Sequence, residues 1–213
     1  MSRWSLAAGL LTVAACRPDP GAPNYPNPGP WDPAADDPDF LSGSDPYEEG
    51  EARLSMGIFY EGGASDALPI DDLTRHFYIY EGSFGMGVSD DRVEGLTSDE
   101  ITVGDLGWWG GGVHWDTPED LSAWTTLHLA LQSNDPAMET WTIGMSDGVG
   151  EGRVGVGDLG FVADGYWHEL ELPLALLASS VDLEAVTVGL LMVGATGEPG
   201  ATVKIDDLYL TAE

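Results

Sequence analysis

Across residues 51–213, short apolar stretches rich in β-branched and aromatic side chains alternate with Gly, Asp and Pro. This texture predicts strands separated by turns. In 125–131, Leu127, Leu129 and Leu131 fall on one side at a period of two, the mark of a half-buried strand. In 202–210, Val203 and Ile205 share one side while Leu208 and Leu210 fall on the other. A change of parity inside one strand predicts a bulge or bend at Asp206-Asp207. The same reading places strands near 53–61, 75–81, 88–94, 99–104, 108–115, 123–132, 140–146, 152–156, 165–173, 184–194 and 201–211. One helix-like stretch, 174–179, follows Pro173. Many short strands at about ten-residue spacing predict an all-β sandwich or barrel. Six tryptophans in this segment supply bulk for a core of ordinary size.

The first fifty residues read differently. Residues 17–50 hold nine of the fourteen prolines and eight acids against one base, Arg17. They show no apolar periodicity, so the composition predicts a disordered, semi-extended linker over 16–50. Before it, Arg3 precedes the apolar run 6–13, and Ala14-Ala15 lead to Cys16. Charge, short apolar core and small residues form the order of a secretory signal peptide, here 1–15. Val13-Ala14-Ala15-Cys16 resembles the lipobox of bacterial lipoproteins. The resemblance implies lipidation of Cys16, removal of the preceding peptide and a lipid anchor in the cell envelope. Arg17 in place of Asp after the cysteine implies the outer membrane or cell surface. The alternative is an ordinary secreted protein with a chance cysteine.

Charge narrows the function. With 37 acidic and 7 basic residues the net charge is −30. Such a surface repels phosphate backbones, which excludes nucleic acid as a partner. It also excludes docking on anionic lipid through a basic patch, so membrane contact rests on the lipid anchor alone. A single cysteine leaves no intrachain disulfide framework. The acidity itself serves either solubility or calcium binding.

The last third carries a second resemblance. Asp164-Gly165-Tyr166-Trp167-His168-Glu169-Leu170-Glu171-Leu172-Pro173-Leu174 reads as turn, strand and stop, Val181-Asp182-Leu183-Glu184-Ala185-Val186 leads to a strand, and Val203-Lys204-Ile205-Asp206-Asp207-Leu208 closes the chain. This succession is similar to the C-terminal half of galactose-binding-like jelly rolls, which include many non-catalytic carbohydrate-binding modules. Gly110-Gly111-Gly112 followed by Asp120-Leu121-Ser122-Ala123-Trp124 fits the family's glycine-rich strand more loosely. The resemblance implies a β-sandwich over 51–213, a core place for Trp167 and a glycan partner. It also implies a structural calcium between the first and last strands, with Asp206 as ligand (Asp207 the alternative) and Glu51 and Glu61 as the nearest first-strand acids.

Sugar sites stack apolar ring faces on aromatics and read hydroxyls with polar side chains. Trp108-Trp109 and His114-Trp115 make a dense aromatic cluster, and Tyr78 and Tyr80 add a ring pair. On a strand Trp109, Val113 and Trp115 share one parity, Trp108 and His114 the other. The candidate ligand platform is Trp108, Trp115 and Tyr80, with His114 beside it. Catalysis has little support: the four histidines have no close ligand spacing. The expectation is a non-catalytic carbohydrate-binding surface lipoprotein. The alternatives are a structural or adhesion lipoprotein with a protein partner, and a β-sandwich polysaccharide-degrading enzyme.

Overall fold

The computed structural model describes residues 47, 50–196 and 198–212. The predicted signal peptide, Cys16 and nearly all of the predicted linker lie outside the described residues. Twelve strands are present among the described ones: β1 (Arg53–Ser55), β2 (Asp66–Ala67), β3 (Arg75–Ile79), β4 (Phe84–Ser89), β5 (Ser98–Val103), β6 (Trp109–Glu119), β7 (Thr126–Gln132), β8 (Thr142–Ser146), β9 (Glu151–Gly155), β10 (Trp167–Pro173), β11 (Val186–Gly194) and β12 (Thr202–Thr211). One sheet runs β10-β7-β12-β1-β2, with β5 also on β12 and β4 on β5; the other runs β3-β6-β11-β8-β9. Among the described strands only β1 and β2 pair in parallel. Two sheets, antiparallel apart from the short β1–β2 pair, enclose one core and make the protein an all-β sandwich of jelly-roll type.

Alternation builds the core as the sequence predicts. Leu127, Leu129 and Leu131 of β7 are buried, as are Leu170 and Leu172 of β10 and Val203 and Ile205 of β12. The parity change in β12 is also there. Ile205, Leu208 and Leu210 are all buried. The register against β7 slips between Asp206 and Tyr209, and Asp207 takes a left-handed φ of 57°. That one bulged residue returns Leu208 to the core.

Four expectations shift. The first predicted strand is only β1, because the chain turns at Gly57, whose φ is +72° and where a Cβ would lie 2.7 Å from the Pro69 Cα. The predicted strand 88–94 moves back to β4, and 90–97 is a loop. Val93 is buried in that loop, so its apolar character reflects loop packing, not a ladder. The predicted helical stretch is one 3-10 turn, Leu174–Leu176. Trp167 is not a core residue. It faces outward opposite Gln132, and its indole Nε1 donates to Asp91 at 3.0 Å. Trp109 and Trp141 fill the core instead, their rings 5.1 Å apart.

Candidate functional site

The outer face of the β3-β6-β11-β8-β9 sheet is built from the residues that alternate away from the core. Register gives three rows across the five strands. One runs His76–His114–Val188–Ser146–Glu151. The next runs Tyr78–Gly112–Leu191–Gly144–Arg153. The third, on four strands, is Gly110–Val193–Thr142–Gly155. Glycines on β6 and β8 flank Leu191, so the middle row has a floor low in side-chain bulk.

Those glycines are what seat the aromatics. Tyr80 follows β3 in a short 3-10 turn (Tyr80–Gly82), and its side chain lies along β6. A Cβ at Gly110 would stand 3.1 Å from Tyr80 Cδ2, and one at Gly112 would stand 3.2 Å from the Tyr80 hydroxyl. The same Gly110 position is 3.7 Å from Trp108 Cζ3, so Trp108 flanks Tyr80. The hydroxyl then meets His114 Nε2 at 2.7 Å. Tyr78 packs edge-on against His114 at 5.1 Å and stacks on His76 at 5.3 Å. The result is one strip, Trp108–Tyr80–His114–Tyr78–His76, half-buried except for Tyr78, which is 48 % exposed. Burial, reinforced by the Glu151 charge, holds the Tyr80 phenol above its ordinary pKa. Burial and the neighbouring His76 hold His114 below its own, which favours a neutral imidazole able to exchange hydrogen bonds with hydroxyls.

The structure thus brings Trp108, Tyr80 and His114 together, and adds Tyr78 and His76. It does not add Trp115. That residue shares the inward parity of Trp109 and Val113, is 4 % exposed, and belongs to the core cluster. A Cβ at Gly189 would lie 2.2 Å from its ring, so Gly189 on β11 makes room for the indole. Trp115 is a packing residue. Trp115→Ala is expected to cost about 3–5 kcal/mol of stability, read by denaturant unfolding; a change below about 1 kcal/mol would contradict its core role.

A second feature lies where β12 bends. Asp206 Oδ2 accepts from Val93 N at 2.7 Å and Glu94 N at 3.1 Å, and its Oδ1 accepts from Asp207 N at 2.9 Å. This carboxylate anchors the 90–97 loop to the last strand. Glu94 is 3 % exposed; its Oε1 accepts from Glu61 N at 2.5 Å, and its Oε2 has no hydrogen-bond partner. Glu61 also accepts from Leu96 N and Thr97 Oγ1. Burial, then the charges of Asp206 and Asp207, push Glu94 well above the usual carboxylate range. Burial, with Asp207 adding to it, pushes Asp206 up as well. Glu51 already has a counter-charge, the buried Arg53 at 3.0 Å. Among the described residues no three Asp, Glu, His or Cys side chains converge as a ready metal cage. The donor chemistry nevertheless fits a hard cation: carboxylates from both chain ends, one with an unsatisfied buried oxygen.

No protein-family model matches this chain, and no curated protein does. Solved structures do. The family 30 carbohydrate-binding module of the cellulosomal cellulase Cel9D-Cel44B of Clostridium thermocellum has TM-score 0.53 and 19 % identity, over 66 % of this chain and 92 % of that one. A second structure of a family 30 carbohydrate-binding module has TM-score 0.52 and 18 % identity, over 64 % of this chain and 81 % of that one. The family 11 module of the cellulase Lic26A-Cel5E of C. thermocellum has TM-score 0.45 and 15 % identity, over 66 % of this chain and 89 % of that one. At these identities the family 30 likeness establishes the fold, a jelly-roll sandwich of the kind carbohydrate-binding modules use.

Proposed function

We propose that the protein is a non-catalytic carbohydrate-binding lipoprotein of the cell envelope. The observation that carries this reading is Tyr80 laid over Gly110 and Gly112 with Trp108 beside it. Glycine within a strand otherwise weakens it; here Gly110 and Gly112 make room for the Tyr80 side chain against β6. Sugar faces stack on such rings while His114, His76 and the Tyr78 hydroxyl meet sugar hydroxyls. Family 30 carbohydrate-binding modules share the sandwich, which agrees with this use of it. Retardation of the full chain in native gels cast with polysaccharides, and its loss in Trp108→Ala, tests the reading. No retardation on a broad panel by the folded chain would overturn it.

Two further parts belong to the same proposal. Calcium binds at the bend of β12, using Glu94 and Asp206 with Asp207 and Glu61, and neutralises the buried acids while joining the 90–97 loop to the last strand. When bound, calcium supplies positive charge to those carboxylates and no chemistry at the sugar face. Lipidation of Cys16 holds the domain at the outer membrane or cell surface. In a bacterial host the chain is expected in the membrane fraction and Cys16→Ser in the soluble one; equal partition of both would contradict the anchor.

A further inference from the structure

β3 and β6 stay in register as far as the pair Ile79↔Gly111. The next pair would set Tyr80 against Gly110, but the chain leaves the ladder there. Glu81 and Gly82 take left-handed φ of 54° and 67°, as the two central residues of a type I′ turn do. Ser83 N closes the turn by donating to the Tyr80 carbonyl at 2.9 Å. From Phe84 the chain continues as β4, in the other sheet. The Gly110 backbone thus loses the partner that the ladder would give it. The Ser83 hydroxyl takes that place: it accepts from Gly110 N at 3.0 Å and donates to the Gly110 carbonyl at 3.2 Å. Ser83 is fully buried, so solvent does not compete for these bonds. Its own carbonyl accepts from Gly104 N at 2.8 Å. One residue therefore closes the turn that carries Tyr80 and holds both ends of the 104–110 segment that carries Trp108.

We infer that Ser83 is a positioning residue of the glycan site, its hydroxyl and carbonyl together fixing Tyr80 and Trp108 relative to one another. This rests on the glycan reading above and adds what sets the placement of its two rings. Neither ring is placed by a strand of its own: Tyr80 sits in the turn after β3, and Trp108 precedes the first residue of β6. His114 meets the tip of the Tyr80 side chain, while Ser83 holds the backbone at its root. Removing the hydroxyl leaves the Gly110 N–H and carbonyl unpaired in a dry corner, at the cost of an unmade hydrogen bond. The relief available is for the corner to move off β6, which takes Tyr80 with it. The fit is close on the other side too. A Cβ at Gly104 would stand 2.8 Å from the Ser83 carbonyl oxygen, so the segment leading to Trp108 approaches the corner as only glycine can. Ser83 lies beneath the strip and acts through the two rings, as a supporting residue holds the groups that touch a ligand.

The test is calorimetry of the full chain with cello-, xylo- and mixed-linked gluco-oligosaccharides, together with the His114 imidazole signals of the ligand-free chain by nuclear magnetic resonance. Ser83→Ala should weaken the oligosaccharide that the parent binds by about tenfold. It should also shift the His114 signals, because the Tyr80 hydroxyl at Nε2 moves. Ser83→Thr keeps the hydroxyl and should stay within about threefold of the parent. In a Tyr80→Ala chain, adding Ser83→Ala should cost less than about threefold, since much of its effect passes through that ring. Gly104→Ala displaces the same corner with every hydrogen-bonding side chain retained, and should lose affinity likewise. Unchanged affinity in folded Ser83→Ala, or an equal loss in the parent and Tyr80→Ala chains, would overturn the inference while leaving the aromatic site intact. If Ser83→Ala does not fold, Gly104→Ala decides on the same readouts; unfolding of both would make the corner a folding element and overturn the positioning role. Failure of the parent chain to bind any of the three series would overturn the glycan reading, and the ligand-free His114 signals would then judge the placement of Tyr80 alone.

Discussion

Glu94→Gln is expected to stabilise the protein at neutral pH in chelator and to destabilise it in millimolar calcium. The wild-type carboxyl is almost fully buried, faces Asp206 and Asp207, and leaves Oε2 without a hydrogen-bond partner. Ionising it there has a desolvation penalty that one backbone N–H does not offset. Its folded-state pKa is raised, so the folded chain holds a proton that the unfolded chain, with an ordinary value near 4.3, has released. The associated stability is complete below that unfolded value and declines as pH rises towards the folded one. Asp206 acts in the same direction. Without metal, wild-type stability should fall as pH climbs above the unfolded value near 4.3 towards the raised folded one, and Glu94→Gln should flatten that slope. The neutral amide should add about 2 kcal/mol at neutral pH, a rise of about 4–8 °C in Tm for a domain of this size.

Bound calcium is expected to reverse the sign. A bound ion needs ionised carboxylates and adds RT ln(1 + [L]/Kd) to stability. The wild type should then gain more from calcium than Glu94→Gln does, and its stability should no longer fall with rising pH. Thermal unfolding of both chains, with calcium and with chelator, checks all four values. Identical curves with and without calcium would remove the ion from the proposal. No stabilisation by Glu94→Gln in chelator would show the carboxylate to be better solvated than its burial indicates.

Tyr80→Ala and Trp108→Ala are each expected to weaken polysaccharide binding by about thirtyfold or more, about 2 kcal/mol for a stacked aromatic at the centre of a contact. Tyr80→Phe keeps the ring but removes the hydroxyl that His114 meets at 2.7 Å. It should lose less, about three- to tenfold. Gly112→Ala gives a third handle. Its Cβ would stand 2.2 Å from the Leu190 carbonyl oxygen and crowd the Tyr80 hydroxyl, so affinity should drop with the aromatics themselves unchanged. Full binding by Tyr80→Ala, with the variant folded, would contradict the stacking role.

Much of this architecture is legible in the amino-acid sequence. The period-two leucines of β7 and the parity change in β12 both follow from side-chain alternation, which a sheet enforces residue by residue. The three-glycine run on β6 marks a strand approached closely by something, but not by what. Tyr80 reaches across from a turn whose backbone direction no local pattern specifies. Trp115 shows the opposite case. Its parity with Trp109 and Val113 points inward, while the aromatic density around it suggests a platform; parity is the better guide because alternation is geometric and density is not. Glu94 gives no signal at all. Its burial depends on a loop folding back onto a bend about 110 residues later in sequence, fixed by the Asp206 carboxylate.

Chemical-shift mapping of the full chain titrated with a retained oligosaccharide tests the site most directly. The predicted result is that the largest amide and ring shifts fall on Trp108, Gly110, Gly112, His114 and Tyr80. Shifts confined to the opposite sheet, on Gln132, Trp167 and Lys204, would place the glycan on the wrong face and contradict the proposed site.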